Sequence, residues 1–560
     1  MEARAHRSGV VLLACLALVT ACGGAAVSGP RRAPPQTRPE RTGYAETSRY
    51  DDVVAFLDSL KDRSELSFGS IGRTTEGREI PYVVASRPKV VTPEEARRLR
   101  RPIVYVQGNI HAGEVEGKES LMALLRELTQ SPRANVLDSV VLIAVPIYNA
   151  DGNERIGPQQ TNRGSQNGPE IVGQRANAQA FDLNRDYVKA EAPETRASLA
   201  MFNAWDPHVF VDLHTTNGSY HGYALTYAPP LNPAAALGVF TRDSLMPVLR
   251  DRMKKRHGFE TFDYGDFVSE DTLSQGWVTF DHRPRYGINY YGMRGRISIL
   301  SEAYSHDPFQ RRVAATTAFV REILSLSAER GADLMARVAA ATPPSSIRDS
   351  ASSDSATPVS MGDGAITVAI RSELDAAPDS AEVLAEEMER TSDSTVTEAG
   401  VPKGRKRTGR FKGVRMPLFD RFTPTLTRGS PIAYVVPARD TQALRVLRDH
   451  GIRTEVAERP WADTVQVFVV DSLIRATRPF QGHREVRIVG RWRRVMRTIP
   501  RGTIIVPMPQ PLQALAMYLL EPESDDGLAT WNYFDTSLRV GGSYPVLKLL
   551  TPPSPPPDSR

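Results

Sequence analysis

The sequence predicts an α/β fold, and three observations carry that prediction. Short apolar runs of strand length recur at 103–106, 139–148, 209–213 and 297–300. Helical patterns lie between them: Leu121, Leu124, Leu125 and Leu128 share one face of a helix within 118–128. The region from about residue 50 to residue 335 holds these alternations in one stretch. Strands alternating with helices pack as a sheet with helices on its faces.

The rest of the chain divides by composition. Arg4 and Arg7, an apolar run at 10–19 and then Thr20-Ala21-Cys22 have the order of a secretory signal, assigned to 1–21. That run is too short for a retained membrane helix, which needs about twenty apolar residues. Val19-Thr20-Ala21-Cys22 resembles the bacterial lipobox, in which the Cys becomes a lipidated N-terminus, so Cys22 is the expected lipidation site. The other cysteine is Cys15, inside the apolar run, so no disulfide framework, Cys-ligated zinc or thiol nucleophile is available beyond Cys22. Residues 22–45 read as a tether rich in Pro, Arg and Gly. Residues 46–335 form the expected catalytic domain, and 336–415 a charged, low-complexity linker that ends in a basic run. A strand–helix–strand pattern at 432–456 opens an accessory domain over 416–550, α+β or β-rich, before a Pro-rich tail at 551–560. A net charge of +5 over 560 residues is too mild to argue for nucleic acid.

Chemistry concentrates at strand ends. His111-Ala112-Gly113-Glu114 follows the run 103–106 in a Gly-bearing turn that leads into a helix. His214 ends the run 209–213, and Glu302 follows 297–300. In open α/β sheets ligands bind beyond the carboxyl ends of the strands. Two imidazoles and one carboxylate make a three-ligand zinc site with a position left open for water. A further carboxylate can then take the proton from that water. A second H-x-x-E, at His257 and Glu260, ends a charged helical run and reads as a solvated helix end. His208, His221, His282 and His306 lack a ligand-like context. Asp182-Leu183-Asn184-Arg185 adds a planar guanidinium fork, suited to a substrate carboxylate. The Gly- and Asn-rich stretch 157–180 is long enough for a functional loop. Gln481-Gly482-His483 and the acidic stretch 520–526 read as surface or loop structure.

The ordered set His111-x-x-Glu114, Arg175, Asn184-Arg185, His214, a late Tyr and Glu302 resembles the zinc carboxypeptidase family. The resemblance implies a mixed central sheet and one Zn2+ per chain on His111, Glu114 and His214. It implies Glu302 as general base and Asn184 and Arg185 as holders of the substrate's terminal carboxylate. Arg175 would stabilise the oxyanion, with Arg163 the alternative; Asp182 would orient a zinc-binding His; Tyr290 or Tyr291 would be the mobile tyrosine. Digestive members carry Arg before the metal-binding Glu, where Gly113 stands here. The implied function is an exported carboxypeptidase acting on peptides or cell-wall peptides, held by a lipid on Cys22 at the periplasmic face or cell surface. Two alternatives stay open. Aspartoacylase and succinylglutamate desuccinylase relatives, which cleave N-acyl amino acids, share the H-x-x-E, Asp182–Arg185 and Asp212–Thr216 patterns; the other is a non-catalytic peptide-binding surface protein.

Overall fold

Eight strands build the central sheet: β1 (Leu66–Arg73), β2 (Glu79–Ala85), β3 (Ile103–Gly108), β4 (Val141–Val145), β5 (Val209–Thr215), β6 (Leu225–Ala228), β7 (Thr261–Asp263) and β8 (Ile297–Ala303). Their spatial order is β1-β2-β4-β3-β5-β8-β6-β7. Pairs β3–β4, β3–β5, β5–β8 and β6–β7 are parallel, whereas β1–β2, β2–β4 and β6–β8 are antiparallel. The sheet is therefore mixed, as expected. The structure is a computed structural model that describes residues 34–130, 133–342, 366–392 and 404–550. The signal segment 1–21, Cys22 and the tail 551–560 lie outside the described residues.

Strand side chains alternate between two apolar layers, as period-two geometry requires. Tyr105 and Phe210 enter one layer; Val104, Val106, Val209, Val211 and Leu213 enter the other. The second layer is covered by α1 (Glu116–Leu128), α3 (Met246–His257) and α5 (Phe309–Glu329). The first is covered by α2 (Pro193–Trp205) and α4 (Gly287–Met293). Alternation places Asp212 and His214 on the Phe210 side of β5 and Glu302 on the Leu300 side of β8, which is the same layer. Parallel pairing sets His214 directly beside Glu302. Gly117 lets α1 approach the end of β5, because a Cβ there would lie 2.8 Å from Leu213 Cβ.

Three expectations are corrected. The described end of the tether, 34–45, is packed rather than free. A turn of helix, Arg38–Arg41, is capped by Thr37, Glu40 receives both ends of the Arg126 guanidinium at 2.6 and 2.7 Å, and Tyr44 meets Phe309 edge-on. The partners sit on α1 and α5, which local composition does not reveal.

The linker's first described residues, 336–341, continue the helix Gly331–Ala341, and the later ones build strands Thr367–Asp375, Ala381–Arg390 and Arg405–Met416. Its acidic and basic runs face each other across one hairpin: Arg407 pairs with Glu386 at 2.8 Å, and Arg410 with Glu387 and Glu389 at 3.1 Å each. Val383 and Ala385, alternating on the other side, are buried with Tyr223, Phe262 and Trp277. Opposite charges directly across a strand pair support it, so the runs are two halves of one element.

The C-terminal stretch builds a six-stranded sheet with helices Thr441–His450 and Gln513–Leu520. One face of that sheet has a small apolar cluster of its own, with Val435, Val465, Val467 and Leu549, and the other is shared with the central sheet. Val446, Leu447, Met517 and Tyr518 join the layer that holds Tyr105 and Phe210, and the chain from Pro35 onward clusters as one compact unit. The Tyr105–Phe210 layer of the central sheet is therefore completed by the C-terminal region. Among the described residues, no helix is long and apolar enough to cross a membrane.

Candidate active site

β3 ends at Gly108, and Asn109 takes a left-handed φ of 65°, which turns the chain sharply. In the next turn the Glu114 N–H donates to the His111 carbonyl at 2.9 Å. That turn brings His111 Nδ1 within 3.1 Å of Glu114 Oε1. His214, from the end of β5, places its Nδ1 3.2 Å from His111 Nδ1 and 2.9 Å from Glu114 Oε2. All three side chains are buried. Two nitrogens bound tetrahedrally to zinc at the usual bond length stand about 3.3 Å apart, so the spacing and donor set of this chain fit zinc.

Each outer imidazole nitrogen also faces a carboxylate. His111 Nε2 lies 3.0 Å from Asp182 Oδ1, and His214 Nε2 lies 3.0 Å from Asp212 Oδ2. A carboxylate on one ring nitrogen holds the proton there and leaves the other nitrogen free to bind a metal. Asp212 is itself held, since Gln107 Nε2 donates to its Oδ1 at 3.1 Å and to Tyr187 Oη at 3.0 Å. Burial pushes the Glu114 carboxyl up, but Arg163 and His111 overcome it and hold the group well below the usual carboxylate range. Glu302 differs: burial pushes it up to about 8, opposed by His214 and reinforced by Glu114.

A cavity of about 290 Å³ opens over this group, lined also by Arg175, Asn184, Arg185, Tyr264 and Tyr286. Arg175 spans the site, with Nε donating to Asp182 Oδ2 at 3.0 Å and Nη1 to Glu114 Oε1 at 3.4 Å. Arg163, the alternative oxyanion group, lies behind Glu114 at 3.2 Å and donates to the carbonyls of Thr215 and Thr216. It therefore braces the loop 157–180 against β5, while Arg175 reaches the cavity. Asp182 caps the helical turn Leu183–Arg185, accepting from the Asn184 N–H at 2.9 Å. Asn184 Oδ1 accepts from the Gly287 N–H at 2.9 Å, and the Arg185 guanidinium stacks 3.8 Å from the centre of the Tyr286 ring.

Tyr290 and Tyr291 do not reach the cavity, which corrects the expectation for the mobile tyrosine. Both are fully buried: Tyr290 Oη lies 2.6 Å from His450 Nδ1, and the Tyr291 ring packs 4.0 Å from Phe202 and 4.1 Å from Phe210. They point into the apolar layer beneath α4, and Tyr286 at the N-cap of α4 takes the cavity position. Tyr264 lines it as well, accepting from Asn217 Nδ2 at 2.8 Å. No local pattern separates these tyrosines from the buried pair. Asp212 was also missed, although its signal was present: in Asp212-Leu213-His214 the two polar residues of a strand share a face.

The remaining candidates fall elsewhere. His257 pairs with Glu322 at 2.9 Å, as a helix-end residue would. His221 is buried and bridges to Ala385, and His282 meets Asp525 at 3.2 Å. The two C-terminal motifs are not free surface. Gln481 Oε1 accepts from the Asp182 N–H at 2.9 Å, His483 Nε2 lies 2.9 Å from Glu191, and Asp526 binds Arg285 at 2.8 Å. Their partners lie hundreds of residues away, so sequence spacing carried no sign of them.

Residues 53–235 match the family model described as zinc carboxypeptidase. Carboxypeptidase 2 of Trichophyton equinum is 22% identical over 94% of this chain and 92% of its own length. Carboxypeptidase D of Homo sapiens is 32% identical over 26% of this chain and 10% of its own. Among solved structures, a metallo-carboxypeptidase from Pseudomonas aeruginosa in complex with (2-guanidinoethylmercapto)succinic acid has 16% identity and a TM-score of 0.38. That match covers 50% of this chain and 69% of that one.

Proposed function

We propose that this chain, which carries a zinc carboxypeptidase domain and is a metallocarboxypeptidase, hydrolyses the C-terminal peptide bond of its substrates with one zinc ion per chain. The observation that carries the reading is the shared cavity: the Asn184–Arg185 anchor, the His111–Glu114–His214 triad and the buried Glu302 all face it.

Zinc, when bound, supplies a Lewis acid that polarises the scissile carbonyl and acidifies water. Arg185, stacked on Tyr286, presents its fork to the terminal carboxylate, and Asn184 lies beside it. This fixes which peptide bond reaches Glu302. Glu302 takes a proton from water as it attacks and returns it to the leaving amine; burial raises its carboxyl towards the neutral range where such shuttling is efficient. Arg175, fixed by Asp182, offers a preorganised cation to the oxygen that gains charge.

Glu302→Gln tests the reading. It keeps shape and removes the base, so turnover of a blocked dipeptide should fall roughly 10³-fold while zinc content stays at the wild-type level. Full activity in that variant would overturn the mechanism. Because the anchor pair suits the carboxylate of an N-acyl amino acid equally, faster cleavage of an N-acyl acidic amino acid than of any blocked dipeptide would replace peptidase by deacylase.

For location, the order of residues 1–22 supports export and a lipid on Cys22, with peptides or cell-wall peptides outside the cytoplasm as substrates. Cys22→Ser should release the protein from the membrane fraction.

A further inference from the structure

We infer that Gln481, at the C-terminal hairpin tip 480–483, is a positioning residue for the metal ligand His111 and the carboxylate anchor. The inference rests on the metallopeptidase reading above and adds a role for the C-terminal region.

The strands Trp461–Arg475 and Val486–Ile499 form a long hairpin, and its connection ends in a two-residue turn. The Phe480 N–H donates to the His483 carbonyl at 2.7 Å, and the His483 N–H to the Phe480 carbonyl at 3.0 Å. Gln481 and Gly482 have φ of 48° and 82°, both left-handed. Turns of this kind favour Asn, Asp or Gly at both central positions because a Cβ is crowded there. Gly482 fits that preference and Gln481 does not. A strained residue held at such a place points to something its side chain does.

The Gln481 amide oxygen accepts the Asp182 N–H at 2.9 Å. Asp182 is the hub of the site: its carboxylate meets His111 Nε2 and Arg175 Nε at 3.0 Å each and caps the Asn184 N–H at 2.9 Å. One contact from the hairpin therefore holds the backbone of the residue whose carboxylate meets His111, Arg175 and the Asn184 N–H. The neighbouring chain is held from the same side. His483 meets Glu191 at 2.9 Å, Tyr533 Oη donates to the Lys189 carbonyl at 2.9 Å, and His450 Nε2 to the Val188 carbonyl at 3.1 Å. Segment 182–191 is thus clasped between the catalytic sheet and the C-terminal region.

Gln481→Gly separates positioning from packing, because Gly relieves the turn while deleting the amide. In the full-length protein the variant should keep or raise its melting temperature. Amide exchange at Asp182 should quicken, zinc should be lost to a competing chelator about tenfold more readily, and KM should rise more than kcat falls. Gln481→Asn, which tolerates the left-handed turn but is one methylene shorter, should show the same losses. A Gly variant with wild-type exchange, zinc retention and KM would overturn the inference. If wild-type protein binds no zinc, the functional reading fails instead, and exchange at Asp182 still decides whether the hairpin holds that segment.

Discussion

The Nδ1 atoms of His111 and His214 stand 3.2 Å apart, although one residue lies in a loop after β3 and the other ends β5. Each ring is turned by a carboxylate on its far side, Asp182 for His111 and Asp212 for His214. The spacing suits two ligands of one tetrahedral ion, and it is maintained by residues that touch no ligand position themselves.

Asp212→Ala should therefore weaken zinc binding by about 10- to 100-fold. The loss would be read by chelator competition on purified protein. Gln107→Leu should act in the same direction but less, since it removes a holder of Asp212 rather than of His214. Unchanged zinc affinity in Asp212→Ala would show that packing alone orients His214.

Arg185→Lys should raise KM for peptides by more than tenfold and leave kcat within a small factor. A point charge replaces a planar fork that is stacked on Tyr286 and suited to both oxygens of a carboxylate. A fall in kcat with KM unchanged would place Arg185 at the reacting carbonyl instead.

Acid should destabilise the fold through buried neutral histidines. His450 donates from Nε2 to the Val188 carbonyl and faces Tyr290 Oη with Nδ1, so it is satisfied without a charge. Burial, helped by Arg294, lowers it to about 3; burial, helped by His306, does the same to His221. An unfolded His titrates near 6.5. Below that pH the unfolded chain binds protons that the folded chain refuses, so stability falls as pH falls from about 6.5 towards 3. Each such group contributes a slope of up to about 1.4 kcal/mol per pH unit. Urea midpoints should drop between pH 7 and pH 5, and His450→Gln should make the drop shallower. Equal slopes in both proteins would contradict this account.

A fragment ending at 342 should not fold as a soluble domain. It would expose the sheet face whose layer is completed by Val446, Leu447, Met517 and Tyr518. Exposed apolar area on that scale drives association. A monomeric, zinc-binding fragment would show that the C-terminal region is dispensable for folding.

The site was legible where its signal is local. A strand run followed by His111-x-x-Glu114, a strand closing on His214 and another leading to Glu302 put chemistry at the carboxyl ends of strands, and register then joined His214 to Glu302. The signal failed where it depended on a helix's orientation. Tyr290 and Tyr291 follow the cavity-lining Tyr286 by only four and five residues, yet the turn of α4 sends them under the helix into the core. It failed again at 336–415, where acidic and basic runs looked solvated separately and are paired across a hairpin.

Residue types and their order were enough to single out His111, Glu114, His214, Glu302 and Arg185, which line one cavity, because donor chemistry and strand periodicity are properties of a few neighbouring residues. The chain in three dimensions alone decided that Asp212 steadies His214, that Tyr286 rather than the Tyr290–Tyr291 pair meets the cavity, and that Gln481 reaches Asp182. Those contacts join residues separated by up to 299 positions. Partners at such distances leave no period in the sequence; packing of the C-terminal region against the sheet selects them.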